Sequence, residues 1–244
     1  MDKTLQEVKA APVELLAQAP WVACLTPQQW QRAQRETLLT RRSAGEVVSA
    51  KGTPARHWIG VLEGMVKVDG LSADGRSTTL SGVPSGGWLG EGSMLKHERR
   101  PYEVVALQDS WLALMPSATF DWLCETSLGF NQFLVRQLNA RLGQFLAVVE
   151  SHRIQTTTSQ VAVCLCELVN PALCTPVTGA LRLSQEEIAR LCGLSRQVTG
   201  RALHELEARG LVAMRYGGIE VLDVAGLQAA VRGSPGHAPA GAAA

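Results

Sequence analysis

From about residue 37 to 115, short runs of Val, Leu, Ile and Thr alternate with glycines at 45, 52, 60, 64, 70, 75, 82, 86, 87, 90 and 92. Strands this short, with turn residues between them, predict an antiparallel roll or barrel. ADGR (73–76) reads as a hairpin tip, because Asp-Gly favours tight turns with positive φ. Ahead of the roll, PVELLAQAP and TPQQWQRAQRE read as short helices. Beyond it the period changes from two to three and four. Leu128, Val135, Leu138, Leu142, Phe145 and Val149, with Asn131 as a polar member, form a heptad seam. A narrow seam of this length is expected to face another helix. The chain has no second heptad helix, so the expected partner is its twin, in a parallel homodimer with Val135, Leu138, Leu142, Phe145 and Val149 at the interface.

ESHRIQTTTSQ (150–160) is polar and ends the seam, which places a boundary there. A helix, VAVCLCELV, follows, and then a loop with Pro171, Pro176 and Gly179. The segment LRLSQEEIARLCGLSRQVTGRALHELEARGLVAMRYGGIEVLD (181–223) is the most informative in the chain. Ser184 and Glu187 have capping-box spacing, so a helix starts there. Gly193 breaks it, and Ser195 caps a second helix after a very short turn. Val198, Ala202, Leu203 and Leu206 give that helix one apolar stripe, and Gly210 stops it. Strand, Gly-Gly and strand come next. Together these read as a helix-turn-helix with a two-stranded wing.

In such a unit the second helix enters the major groove of DNA by its N-terminal end. Arg196 and Arg201 can each offer a two-donor fork to guanine, and Gln197 can pair with adenine. Thr199 can meet a phosphate or a thymine methyl, and Gly200 lets the backbones approach closely. Ser184 and Ser195 cap helix ends that favour phosphate, and Arg215 on the wing is a further backbone contact. The expected partner is double-stranded DNA with a palindromic site.

Composition narrows the alternatives. Of the 244 residues, 46% are hydrophobic and the net charge is +1, so a large core is expected and no global polyanion signal exists. Residues 154–232 carry seven arginines and seven acids, so DNA binding must rest on a local patch. No run reaches membrane-span length, and the N-terminus lacks the pattern of a secretory signal. A cytoplasmic protein with no membrane partner is expected. The six scattered cysteines read as structural thiols, with neither disulfides nor a metal site. No P-loop, H-E-x-x-H or nucleophile elbow is present, so an enzyme is not expected. The rival class is a ligand-binding regulatory module that acts through a protein partner rather than DNA.

SRQVTGRAL, AGEVV, KGTPARHWIGVLEGMVKV, DGRSTTL and GGWLGEGSML together resemble the bacterial transcription regulators that include the cyclic-AMP receptor protein and the oxygen sensor FNR. The resemblance covers about residues 15 to 225. It implies an α+β fold: N-terminal helices with a cyclic-nucleotide-binding-like β-roll (1–116), a long dimerisation helix (117–153), a winged helix-turn-helix domain (154–232) and a disordered tail (233–244). It also implies contact with RNA polymerase and a small effector in the roll. By resemblance, Gly90, Glu91, Gly92, Ser93, Arg100 and Phe145 form the effector set, with Glu91 on a ribose hydroxyl and Arg100 on a phosphate. Pro101 and Tyr102 replace the hydroxyl residue and Ala of that motif, and Phe145 and Leu146 fall where a polar pair reads the adenine ring. Cyclic AMP is therefore not the expected effector, and the effector's identity stays open. A roll ion pair between Glu91 and Arg100 without ligand is the competing reading. Only Cys24 lies near the N-terminus, so no iron–sulfur cluster is expected.

Overall fold

The computed structural model describes residues 12–71, 77–154, 156–174 and 180–231. The ADGR tip, Pro176 and Gly179 of the loop and the tail from 233 lie outside the described residues. The chain divides into two compact units. One takes residues up to Val66 with Pro84–Val135, and the other takes Lys67–Val83 with everything from Arg136 on.

The first helices are α1 (Pro12–Ala17) and α2 (Pro27–Glu36). Thr26 and Gln29 close a capping box over the start of α2, and Pro27 needs no amide partner there. Eight strands follow: β1 (Leu38–Arg42), β2 (Val47–Ser49), β3 (His57–Glu63), β4 (Met65–Leu71), β5 (Ser77–Pro84), β6 (Trp88–Leu89), β7 (Glu103–Ala106) and β8 (Ser110–Pro116). The short helix α3 (Glu91–Leu95) lies between β6 and β7. The strands form two four-stranded sheets, ordered β1-β8-β3-β6 and β2-β7-β4-β5. The roll expected from the glycine-punctuated texture is therefore present. Residues 67–83, carrying most of the β4–β5 hairpin, pack with the C-terminal unit. There a Cβ at Gly82 would lie 2.8 Å from Leu168 and 3.2 Å from Leu191.

The core of the first unit is aromatic. Trp21, Trp58, Trp88, Phe120 and Phe130 are all buried, and the Trp58 and Trp88 rings lie 4.3 Å apart. Gly60 on β3 has no side chain because the Trp88 indole occupies that space, 2.5 Å from where a Cβ would stand. Edge-on rings at 5.6 Å tie Phe130 to both Trp58 and Phe120.

The segment 117–153 is two helices rather than one: α4 (Ser117–Thr126) and α5 (Leu128–Ile154). Ser127 takes an extended conformation between them, and its hydroxyl accepts from the Phe130 amide at 3.2 Å. Asn131 is a second correction. Its amide donates to the carbonyls of Cys124 at 2.6 Å and Ser127 at 3.1 Å. It finishes the end of α4 instead of joining a helix seam. Phe130 and Leu134 anchor the start of α5 in the aromatic core.

The C-terminal unit contains α6 (Thr157–Leu168), β9 (Ala180–Leu181), α7 (Gln185–Cys192), α8 (Arg196–Ala208), β10 (Val212–Arg215), β11 (Gly218–Val221) and α9 (Val224–Val231). The wing has three strands, ordered β10-β11-β9, not two. Gly218 is a glycine for this reason, since a Cβ there would strike the Leu181 carbonyl. Helix α6 packs against α8 and α9 through a buried run from Val161 to Leu165. All six cysteines are free. A hydrogen bond with Cys192, and then burial, push the Cys164 thiol well above its usual value. Such thiols are poor nucleophiles, which fits a packing role.

Candidate nucleic-acid interface and effector site

The α7–α8 corner is set by its caps. Ser184 Oγ accepts from the Glu187 amide at 3.2 Å, and Glu187 returns a carboxylate oxygen to the Ser184 amide at 2.6 Å. Gly193 ends α7 in the left-handed conformation, with φ at +66°. Ser195 opens α8 and accepts from the Val198 amide at 3.4 Å. Ile188, Ala189 and Cys192 on α7 and Ala202, Leu203 and Leu206 on α8 are buried. That leaves Arg196, Gln197 and Arg201 exposed on the first two turns of α8. Among the described residues neither arginine has an ion-pair partner, and the first turn of α8 holds no acid. The end of α8 is braced to the wing, because Glu207 accepts the Met214 amide at 2.8 Å.

Three of the expected DNA contacts change meaning. Thr199 is fully buried and its hydroxyl has no partner among the described residues. It precedes Ala202 and Leu203 by three and four positions, so it belongs to the inward stripe and does not face outward for DNA. Gly200 faces the first residue of α7, where a Cβ would lie 3.3 Å from Gln185 Oε1. Its small size makes room for that glutamine. Arg215 is exposed but bound, with Nε and Nη2 both 2.9 Å from Glu220 Oε2. Gln185 and Glu207 went unnoticed in the sequence. Both follow ordinary helix patterns, and only the corner geometry gives them a task.

In the roll, Gly90, Glu91, Gly92 and Ser93 surround the start of α3, and Gly90 takes a φ of +94°. Glu91, Ser93 and Arg100 are buried. Arg100 Nη1 donates to the Gly90 carbonyl at 3.2 Å, and Nη2 donates to the His57 carbonyl. Any side chain at Gly90 would collide with the Arg100 guanidinium. The main chain of Arg100 also pairs with Thr53 and Gly52, each at 2.8 Å. Burial lowers the pKa of Arg100, while Tyr102 and Glu91 support its charge. Tyr102 is thus an electrostatic neighbour of Arg100 that its place two residues further along did not advertise. The expected Glu91–Arg100 proximity is present. Arg100 Nε alone is buried without an acceptor among the described residues. The two carbonyls take only two of the guanidinium's five N–H donors.

Phe145 lies on the part of α5 that belongs to the second unit, and its ring is exposed. It shares that condition with Val135, Leu138, Leu142, Leu146 and Val149, all exposed apolar side chains along one stripe of α5. Phe130, Leu134 and Gln137 on another face are buried. Among the described residues no helix is long and apolar enough to cross a membrane, and no cluster of His, Cys, Asp or Glu could hold a metal ion.

Residues 39–127 match the cyclic nucleotide-binding domain family, and residues 159–230 match the Crp-like helix-turn-helix domain family. The chain is 28% identical over 198 residues to the transcriptional regulator SdrP of Thermus thermophilus, a match covering 80% of this chain and 93% of SdrP. It is also 28% identical over 172 residues to the CRP-like protein Clp of Xanthomonas euvesicatoria, covering 67% of this chain and 75% of Clp. Among solved structures, FixK2 of Bradyrhizobium japonicum superposes with a TM-score of 0.65 at 19% identity, covering 83% of this chain and 99% of FixK2.

Proposed function

The chain belongs to the CRP/FNR family of transcriptional regulators, and we propose that it acts as a homodimer reading a palindromic DNA site under the control of a small effector. One observation carries the DNA half of this reading. Arg196, Gln197 and Arg201 stand exposed at the entry end of a capped helix, with neither arginine held by an acid among the described residues. They are the base-reading set. Ser184 and Ser195 present helix N-termini to phosphate. The exposed stripe of α5 supports pairing of two copies, which would place two recognition helices on half-sites about one helical turn apart, roughly 34 Å. Contact of the bound dimer with RNA polymerase is part of the same proposal, by resemblance to the family.

The effector reading rests on the roll. A small molecule lying by Glu91 and Arg100 at the start of α3 is the effector this reading expects. Pro101 and Tyr102 in place of the family's hydroxyl residue and Ala, with apolar Phe145 and Leu146 on α5, argue against cyclic AMP. An effector shifts the regulator only by its difference in affinity between two poses.

Selection of bound duplexes from a random library tests the proposal. The expected result is an enriched palindrome, with binding that weakens as salt rises. Failure to enrich any sequence would refute DNA readout and favour a C-terminal unit that meets a protein partner.

A further inference from the structure

Two local anomalies face each other inside the helix-turn-helix corner. Helix α7 buries Ile188, Ala189 and Cys192. Gln185 precedes them by three, four and seven positions, so it extends the same inward stripe, yet its side chain is polar. On α8, Gly200 opens the second turn, between buried Thr199 and exposed Arg201. Its φ is not positive, so the backbone there does not call for glycine, the poorest helix former after proline. Each anomaly accounts for the other. Gln185 Oε1 lies 3.3 Å from where a Cβ of Gly200 would stand, too close for a side chain unless the glutamine gives way.

The other end of the same amide reaches the wing. Gln185 Nε2 donates to Met214 Sδ on β10 at 3.7 Å. The Met214 amide in turn donates to Glu207 Oε1, near the end of α8, at 2.8 Å. One half-buried side chain at the start of α7 thus touches α8 close to its reading end, and also touches the strand that is tied to the far end of α8. The serine caps fix where the two helices begin. They do not fix how far the first half of α8 stands from α7, and the Gln185–Gly200 contact does.

We propose that Gln185 is a positioning residue for base readout: wedged between Gly200 and Met214, it sets the pose in which α8 presents Arg196, Gln197 and Arg201 to the bases. The proposal rests on the DNA-binding reading above and adds to it a residue that acts through the readers without touching a base. Removing the wedge lets the first half of α8 shift as a rod, and all three readers move together.

The test measures binding of the full chain and its Gln185→Ala variant to the duplex that the wild-type protein selects, to single-base variants of that duplex and to an unrelated duplex. The variant's preference for the selected duplex over the unrelated one should fall about fivefold, the worth of one ordinary hydrogen bond. The loss should spread over the base positions of the half-site, whereas removal of one reading arginine relaxes one position. Affinity for the unrelated duplex, and its salt slope, should stay at the wild-type values. Equal loss on every duplex would mark a phosphate contact or a weakened fold and would overturn the proposal. A preference profile identical to the wild type would overturn it as well. The wedge is also tested without DNA, by adding Gly200→Ala to both chains and comparing thermal melts. Alanine favours the helix, but in the wild-type background its methyl meets Gln185. The gain in melting temperature should be larger in the Gln185→Ala background, and equal gains would overturn the proposal while leaving DNA binding intact. A wild-type chain that selects no duplex would overturn both.

Discussion

Replacing Leu142 by Glu should separate the dimer. Leu142 is 58% exposed on the isolated chain, midway along the apolar stripe of α5. Fully burying a leucine side chain stabilises by about 1.5–3 kcal/mol, so covering its exposed part contributes about 1 kcal/mol per chain and about 2 kcal/mol per dimer. Losing that weakens association roughly 30-fold. In the proposed dimer a glutamate would add repulsion, because a twofold would place each carboxylate near its twin in a region cleared of water. Sedimentation over a dilution series reads the dissociation constant directly. Gln132→Glu, an exposed polar position off the stripe, should leave it unchanged. The dimer reasoning fails if Leu142→Glu assembles as the wild type does, or if the concentrated wild-type chain sediments as a monomer.

Arg196→Ala and Arg201→Ala should each lose about 1–3 kcal/mol of discrimination at one base position, measured as relaxed preference in a mutated-operator series. Thr199→Val should leave DNA affinity unchanged and hold or raise the melting temperature, because it removes a buried hydroxyl that lacks a partner among the described residues. Burial pushes the Glu167 carboxyl up from its usual 4.5 to about 8. The folded chain then keeps a proton that the unfolded chain releases in that window, so this group's contribution to stability is full below about pH 4.5 and declines towards about pH 8. Glu167→Gln should flatten that decline in a thermal-melt series across the same range.

Features written locally in the chain were legible. A serine followed three residues later by glutamate, or a glycine after an apolar stripe, states its own hydrogen bonds, so the starts and stops of α7 and α8 could be placed. The roll was legible as texture, but its pairing was not. Strand β1 lies beside β8 and β2 beside β7, and nothing short-range records such distant partners. Strand β9 has only two residues and exists because Ile219 and Glu220 on β11 offer it an edge. Thr199 misled because threonine looks polar in a list, while helical spacing had already put it on the stripe with Ala202 and Leu203. Asn131 misled in the opposite way. Its spacing matched the seam, but α4 ended one turn earlier and its last carbonyls needed a donor.

The arrangement around Arg100 bears on how an effector could act at all. Its Nη groups satisfy the carbonyls of Gly90 and His57, and its main chain ties down Gly52 and Thr53. The arginine that family resemblance marks for the ligand is thus already a structural brace. A guest that displaced either carbonyl would leave it buried and unpaired, at about 1–3 kcal/mol each. It could do so only if its own contacts were stronger in the altered roll than in this one. A guanidinium has five N–H donors and these carbonyls take two, so a guest that met the others would disturb neither carbonyl. The second route costs less, and it keeps β3 and the start of α3 joined through one guanidinium. Any signal from the roll would then begin as a small shift of that joined pair, with its internal bonds preserved.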